Sequence, residues 1–146
     1  MLYYCPGCWQ DFAFAIEACP QCGINVADFW GRKDLVEKLI HSLQHPEPST
    51  PVRAAWLLSR IKDLRAVEPL IEVIKKTRDF YLAREALRAL KQFATEEAQQ
   101  FVESLRNHPV RMIQVEAMKS EKQQGPAYLP TLGTLTSQGE IDEPHY

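Results

Sequence analysis

The first 22 residues contain four cysteines in two pairs, and each pair has the spacing Cys-x-x-Cys. The pairs are Cys5-Pro-Gly-Cys8 and Cys19-Pro-Gln-Cys22. Two such pairs supply four thiolates at the spacing that a tetrahedral zinc site requires. About 30 residues are too few to bury a hydrophobic core, so bound metal has to supply folding energy here. The sequence therefore predicts a zinc module over residues 1–30, with a short β-hairpin carrying the two metal loops.

The cysteines also indicate the cellular compartment in which the protein works. The chain has no other cysteine, so a disulfide framework is not expected. It has neither a Lys/Arg-led apolar leader nor an apolar run of about 18 residues, so we expect neither secretion nor a membrane span. A reducing cytoplasm, where thiols bind metal instead of forming disulfides, is the predicted location.

The cysteine module resembles the short zinc ribbons that open many bacterial proteins. It is also similar to the knuckles of rubredoxin, where iron replaces zinc, but the stretch between the pairs is much shorter here. The resemblance implies one Zn²⁺ per chain, with iron as the weaker alternative. Cys22 is followed by Gly23, as is usual in such knuckles, whereas Cys8 is followed by Trp9. We therefore expect the first knuckle to be less regular than the second.

From Lys33 to Lys122 the apolar residues follow a helical period, and the pattern recurs every 31 residues. Residues 36–43, 67–74 and 98–105 align as first helices of three units, and Ala55, Ala86 and Ala117 mark the second helices. Self-similarity at such a period is typical of stacked helical pairs, none of which buries its apolar face alone. The sequence predicts a mostly α chain with a short α-solenoid of about three helical pairs.

Two segments of the helical region carry a family resemblance. They are Pro51-Val-Arg-Ala-Ala-Trp-Leu-Leu58 and Asp63-Leu-Arg-Ala-Val-Glu-Pro-Leu-Ile71. They resemble the HEAT-like repeats of the phycobilisome-lyase type, and the likeness extends over residues 35–122. The resemblance implies the fold more strongly than the function, because the family includes chromophore lyases, adaptors and proteins of unknown role.

The net charge of −2 conceals an uneven distribution. All 17 lysines and arginines lie between Arg32 and Lys122, whereas residues 1–31 and 123–146 each carry three acids and no base. Residues 123–146 are also rich in Pro, Gly and Thr, which predicts a flexible acidic tail. In the array, five basic residues are expected on the second helices as a basic inner stripe: Arg53, Arg60, Arg84, Arg88 and Lys91.

This stripe is the predicted partner-binding surface, and the alternative is a solvated face whose cations pair with neighbouring acids such as Glu85. Arg53 and Arg84 favour the structural interpretation, and the other three are the better candidates for binding. Trp56 aligns with Leu87 and is expected in the core, and His41 is expected at the surface. No nucleophile motif and no glycine-rich phosphate loop lies in the array, which predicts a non-catalytic chain.

These features predict a protein-binding adaptor or scaffold subunit, with a zinc ribbon and a short HEAT-like array. Two alternatives stay open. One is a nucleic-acid-binding protein, which the basic stripe favours and the acidic ribbon opposes. The other is a lyase-like accessory that handles a tetrapyrrole, which the resemblance suggests but which lacks a free thiol.

Overall fold

The computed structural model describes residues 1–119, so the predicted tail over 123–146 lies outside the described residues. Within 1–119 there are two short strands and seven α-helices. The strands are β1 (Tyr3–Tyr4) and β2 (Asp11–Phe12). The helices are α1 (Val26–Gly31), α2 (Leu35–Ser42), α3 (Ser49–Ile61), α4 (Val67–Lys76), α5 (Phe80–Leu90), α6 (Glu96–Ser104) and α7 (Arg111–Met118). The predicted fold class, a helical array preceded by a small β module, is confirmed.

Helices α2 to α7 form three consecutive pairs, and the second helix of each pair lies in one row. In that row α3 packs against α5, and α5 packs against α7. Ala55 and Ala86 are completely buried in this row and Ala117 nearly so. Small side chains at this repeated position let neighbouring helix backbones approach closely. The 31-residue period of the sequence thus corresponds to one step of the helical stack.

The N-terminus of α2, the first helix of the first unit, is bonded to the turn that begins the second unit. Asp34 caps α2 in a reciprocal box with Glu37, in which both hydrogen bonds are 2.8 Å long. The other carboxylate oxygen of Asp34 accepts a 2.8 Å bond from Arg65, which lies 31 residues later in the turn before α4. Asp63 also binds Arg65, at 2.9 Å. The turn that resembles the family motif therefore ties the first unit to the second.

Trp56 is not a core residue, contrary to the prediction from its alignment with Leu87. Leu87 is completely buried, whereas Trp56 is 37% exposed and the third member of the register, Met118, is 56% exposed. Only the middle unit has a neighbour on each side, and the end units of a solenoid lack one. The 31-residue period correctly predicts which residues occupy equivalent helix positions. The burial of those residues depends on whether their unit lies in the middle or at an end of the stack.

Candidate metal centre and basic face of the array

The fold brings the four cysteine sulfurs together. All four Sγ atoms lie within 4.8 Å of one another, with Cys5 and Cys22 3.5 Å apart and Cys8 and Cys19 3.7 Å apart. Zinc–thiolate bonds of about 2.3 Å in a tetrahedron place sulfurs about 3.8 Å apart, whereas a disulfide needs about 2.05 Å. The donor set therefore fits one tetrahedrally bound metal ion, and four protein ligands leave no open coordination position.

The two knuckles have the same backbone geometry. Trp9 N donates to Cys5 O at 2.9 Å, and Gly23 N donates to Cys19 O at 2.8 Å. Both donors lie in the left-handed region, with φ of 61° at Trp9 and 76° at Gly23. The prediction of a less regular first knuckle is wrong. For Trp9 this conformation has a steric cost of about 1–2 kcal/mol. The indole of Trp9 packs against the array.

Space is tight at the glycine between the first two ligands. A Cβ atom on Gly7 would lie 2.5 Å from Cδ1 of Ile24 and 3.2 Å from Sγ of Cys22. The backbone N–H of Gly7 also donates to Sγ of Cys5 at 3.3 Å. A larger residue at position 7 would displace the end of the Ile24 side chain and crowd the sulfur of Cys22, while its backbone N–H could still bond Cys5.

The thiols influence one another's ionisation. Burial raises the pKa of Cys19, but backbone N–H groups of Cys22 and Gln21 outweigh it and bring the pKa to about 7. At Cys22 a backbone hydrogen bond from Ile24 lowers the pKa, yet burial and the neighbouring thiols raise it to about 12. Four thiolates at this distance repel one another, so full ionisation requires a bound cation.

The metal module docks on α2 through two histidines. His41 Nε2 donates to the carbonyl oxygen of Pro6, inside the first knuckle, at 2.8 Å. The His41 ring stacks on Trp9 with centroids 4.8 Å apart, and the edges of Phe29 and Trp30 close the other sides at 5.0 and 5.4 Å. The prediction of a solvated His41 is therefore wrong.

The environment keeps His41 neutral and oriented. Burial lowers its pKa, and this outweighs the opposing effect of the hydrogen bond to Pro6. His45, one turn further along, meets the edges of Tyr4 and Trp9 at 4.8 and 5.1 Å. The sequence held a signal for this junction, because Glu72 and Glu103 occupy the position of His41 in the other units. An aromatic residue at that position in the first unit alone indicates a neighbour that only the first unit has.

The five predicted partner residues do not form one continuous exposed stripe. Arg53 and Arg60 are exposed on α3, and Arg60 lies over the Trp56 ring at 5.6 Å. Neither arginine forms an ion pair within residues 1–119. Arg84 is half-buried, with its guanidinium 3.6 Å from Glu85 and 5.5 Å from the centre of the Tyr81 ring.

Arg88 and Lys91 surround a buried carboxylate on α7. Glu116 is 1% exposed, and its Oε1 lies 3.2 Å from Arg88 and 3.9 Å from Lys91. Lys91 donates at 2.8 Å to the backbone oxygens of Glu116 and Lys119, and its side chain is only 7% exposed. These two cations therefore join α5 to α7, which leaves little of Lys91 for a partner. Their role in partner binding stays a prediction.

The ionic cluster sets the protonation state of Glu116. Burial raises its pKa, but the charge of Arg88, 3.2 Å from Oε1, and that of Lys119 on the other oxygen outweigh burial and lower the pKa overall. The carboxylate is thus ionised in the fold. Sequence reasoning missed this acid, although it lies one 31-residue period after Glu85, which also contacts Arg88.

We predict that the module binds one zinc ion per chain and releases it on acidification. Protons compete with the metal for the four thiolates, so affinity falls steeply as the pH drops from 7 to 5. Released zinc, measured with a chromogenic chelator across this range, checks the expectation. Free reaction of all four thiols with a thiol reagent at pH 7 in excess zinc would contradict it.

Replacing His41 tests the junction. His41→Ala removes a hydrogen bond and contacts with three aromatic rings, which together predict a loss of about 2 kcal/mol in the free energy of unfolding. Glu103→Ala, the same register position on α6, is the matched control and is expected to change stability by less than about 0.5 kcal/mol. Urea unfolding of the zinc-loaded chain provides the comparison, and equal stabilities for the two variants would refute the docking role.

Replacing Glu116 tests the ionic cluster. Glu116→Gln leaves Arg88 and Lys91 near a neutral group, so we expect a loss of about 3 kcal/mol near pH 7. The folded pKa is depressed, so this stabilisation is complete above the ordinary carboxyl pKa of about 4.3 and is lost progressively as the pH falls from there through the lower folded pKa. Urea unfolding at pH 7 and pH 3 measures both effects, with Glu97→Gln on the exposed side of α6 as the control. A Glu116→Gln deficit that is equally large at pH 3 would show that the charge is not its cause.

Comparison with known proteins agrees with the architecture. Residues 36–120 match the protein family described as HEAT repeats, which covers more than half of the chain. A search of curated proteins finds no match. Among residues 1–119, no helix has the length and apolar character needed to cross a membrane. The helical pairs, their 31-residue period and this match together show that the chain belongs to the HEAT-repeat family.

Proposed function

We propose that the protein is a non-catalytic adaptor that binds a protein partner through the exposed side of α3. HEAT repeats generally mediate protein–protein interactions, which supports the general role. The observation that carries the specific proposal is a surface that combines unpaired arginines with exposed large apolar side chains. We call it the α3 face, and it consists of Arg53, Trp56, Leu57, Arg60 and Ile61.

The composition of the α3 face fits an interface. Its residues follow helical spacing, so they share one side of α3. The exposed fractions of Trp56, Leu57 and Ile61 are 37%, 38% and 40%. Tryptophan and arginine contribute most often to interface hot spots, and the stacked Trp56–Arg60 pair presents both. A partner that covers this side would remove exposed apolar surface and neutralise two cations.

The metal has a structural role in this proposal. Zinc is the favoured ion, because four thiolates in a closed tetrahedral set are typical of structural zinc sites. Bound zinc would fix the two knuckles and so hold Pro6 and Trp9 against α2. A zinc-loaded preparation would be colourless, whereas iron in the same site would colour it. The use of all four thiols as metal ligands also fits a reducing cytoplasm.

Nucleic-acid binding is the second candidate, since exposed Trp56 beside Arg53 and Arg60 would also suit a stacked base and a phosphate. The aliphatic part of the α3 face, Leu57 and Ile61, favours a protein instead. The tetrapyrrole alternative has no thiol left for attachment once the metal is bound. We therefore place the protein adaptor first.

Charge reversal on the α3 face tests the proposal. Arg53→Glu/Arg60→Glu should weaken partner binding at least about 100-fold, because two hot-spot arginines contribute about 2 kcal/mol or more each. Arg32→Glu/Arg78→Glu makes the same charge change at exposed sites away from α3 and serves as the control. Tagged wild type and both variants would be used for capture from native lysate, and the captured protein then titrated in purified form.

The outcomes separate the candidates. A stoichiometric protein retained by wild type and by the control, but lost by the α3 variant, supports the adaptor. Equal retention by both variants contradicts the proposed surface. Capture of nucleic acid without protein, with an affinity that falls steeply with salt, would replace the adaptor by the second candidate.

A further inference from the structure

We propose that the α3 face is the docking site of the chain's own C-terminal segment, residues 139–146, which thereby limits access of other partners. This inference rests on the proposed function, because it concerns the same surface. It names an occupant for the α3 face and adds regulation by competition. Three observations carry it: the charge of α3, the composition of the segment, and the position at which the chain leaves the array.

The charged residues of helix α3 are all basic. Its sequence, Ser49–Ile61, contains Arg53 and Arg60 and no acidic residue, and Lys62 follows directly as its C-cap. By contrast, Arg84 and Arg88 on α5 are paired with Glu85. The α3 face thus combines uncompensated positive charge with exposed Trp56. An acidic ligand with an apolar anchor would complement both features.

Residues 139–146 have the complementary chemistry. Their sequence is Gly-Glu-Ile-Asp-Glu-Pro-His-Tyr, in which three acids surround Ile141 and Tyr146 supplies an aromatic side chain. Residues 123–146 contain no lysine or arginine, so this charge is not neutralised from within the tail. Carboxylates on both sides of an aliphatic anchor match arginines on both sides of Trp56 and Leu57.

The chain leaves the array on the same side of the stack as the end of α3. Lys62, at the end of α3, and Lys119, the last described residue, line one cavity of about 620 Å³. Lys91, which caps α5 between them, lines it as well. The C-terminal ends of the second helices therefore lie on one side of the stack, and the tail starts from that side.

The length of the intervening chain suits this distance. Nineteen residues, 120–138, connect Lys119 to the acidic segment, and a random coil of that length has an average span of about 24 Å. Helix α5 separates α3 from α7, so the docking site is about 20 Å away at 8–10 Å per packed helix pair. A linker whose average length matches the span gives an effective concentration in the millimolar range, enough to fill even a weak site.

The first test compares tail variants of the full chain by NMR. Glu140→Gln/Asp142→Asn/Glu143→Gln removes three negative charges from the segment. Thr131→Lys/Thr134→Lys/Ser137→Lys changes the net charge by the same amount earlier in the tail. We expect the first variant alone to shift the Trp56 indole signal and the backbone amides of residues 53–62, and we expect 1 M salt to produce the same shift in wild type.

A titration measures the competition. A synthetic peptide of residues 139–146 should bind the neutralised full chain about tenfold more tightly than wild type, whose own segment already occupies the α3 face. Adding Arg53→Glu/Arg60→Glu to the neutralised chain should abolish peptide binding. Equal peptide affinity for wild type and the neutralised chain would overturn the proposal.

Two further results would also overturn it. If the shifts vanish on twentyfold dilution of wild type, the segment of a second copy is the occupant. If no α3 signal responds to either tail variant, the segment does not dock there. Failure here is distinct from failure of the proposed function, because partner binding through Arg53 and Arg60 is measured separately with the α3 variant.

Discussion

A stack of three helical pairs has only one internal unit, and both ends of the stack must be completed by something else. The first end meets the metal module, whose loop carbonyl at Pro6 accepts the His41 hydrogen bond while Trp9 covers the ring. The last end is held by the buried carboxylate of Glu116 under Arg88. One end thus uses a loop of the cysteine module and the other an ion pair, and the row of second helices between them carries the exposed surface.

The basic residues of the second helices differ in exposure, because only some of them face a following unit that supplies a partner. Arg60 and Lys91 occupy the same register one unit apart, yet Lys91 is bound to α7 and Arg60 remains exposed. One unit earlier, the positions that correspond to Arg88 and Glu116 are 57 and 85. Position 85 holds an acid, Glu85, but position 57 is Leu57, so this ion pair has no counterpart in the first unit. Glu85 contacts Arg84 and Arg88 instead. Arg53 and Arg60 therefore have no acidic partner among the described residues, which is why the arginines that suit a partner belong to the first unit.

Much of this architecture was predictable from residue spacing. The four cysteines and the 31-residue period depend on local pattern, and both correspond to structure. The errors, at His41 and Trp56, have a different origin: the environments of these residues, and that of Lys91, are set by contacts between units, whereas a periodic alignment treats all units as equivalent. His41 is half-buried because only its unit touches the loop of the cysteine module, and Trp56 is exposed because α3 has a neighbour on only one side in the row of second helices. Lys91 donates to backbone oxygens of Glu116 and Lys119, 25 and 28 residues away.

The central claim is that the metal module completes the first end of the array and stabilises α2 more than α7. Hydrogen exchange on the full chain, with zinc bound and after chelation, measures this most directly. The account predicts that chelation removes protection at the amides of α2, around His41, while amides in α5 and α7 keep most of theirs. Unchanged protection in α2 after complete zinc removal would contradict it.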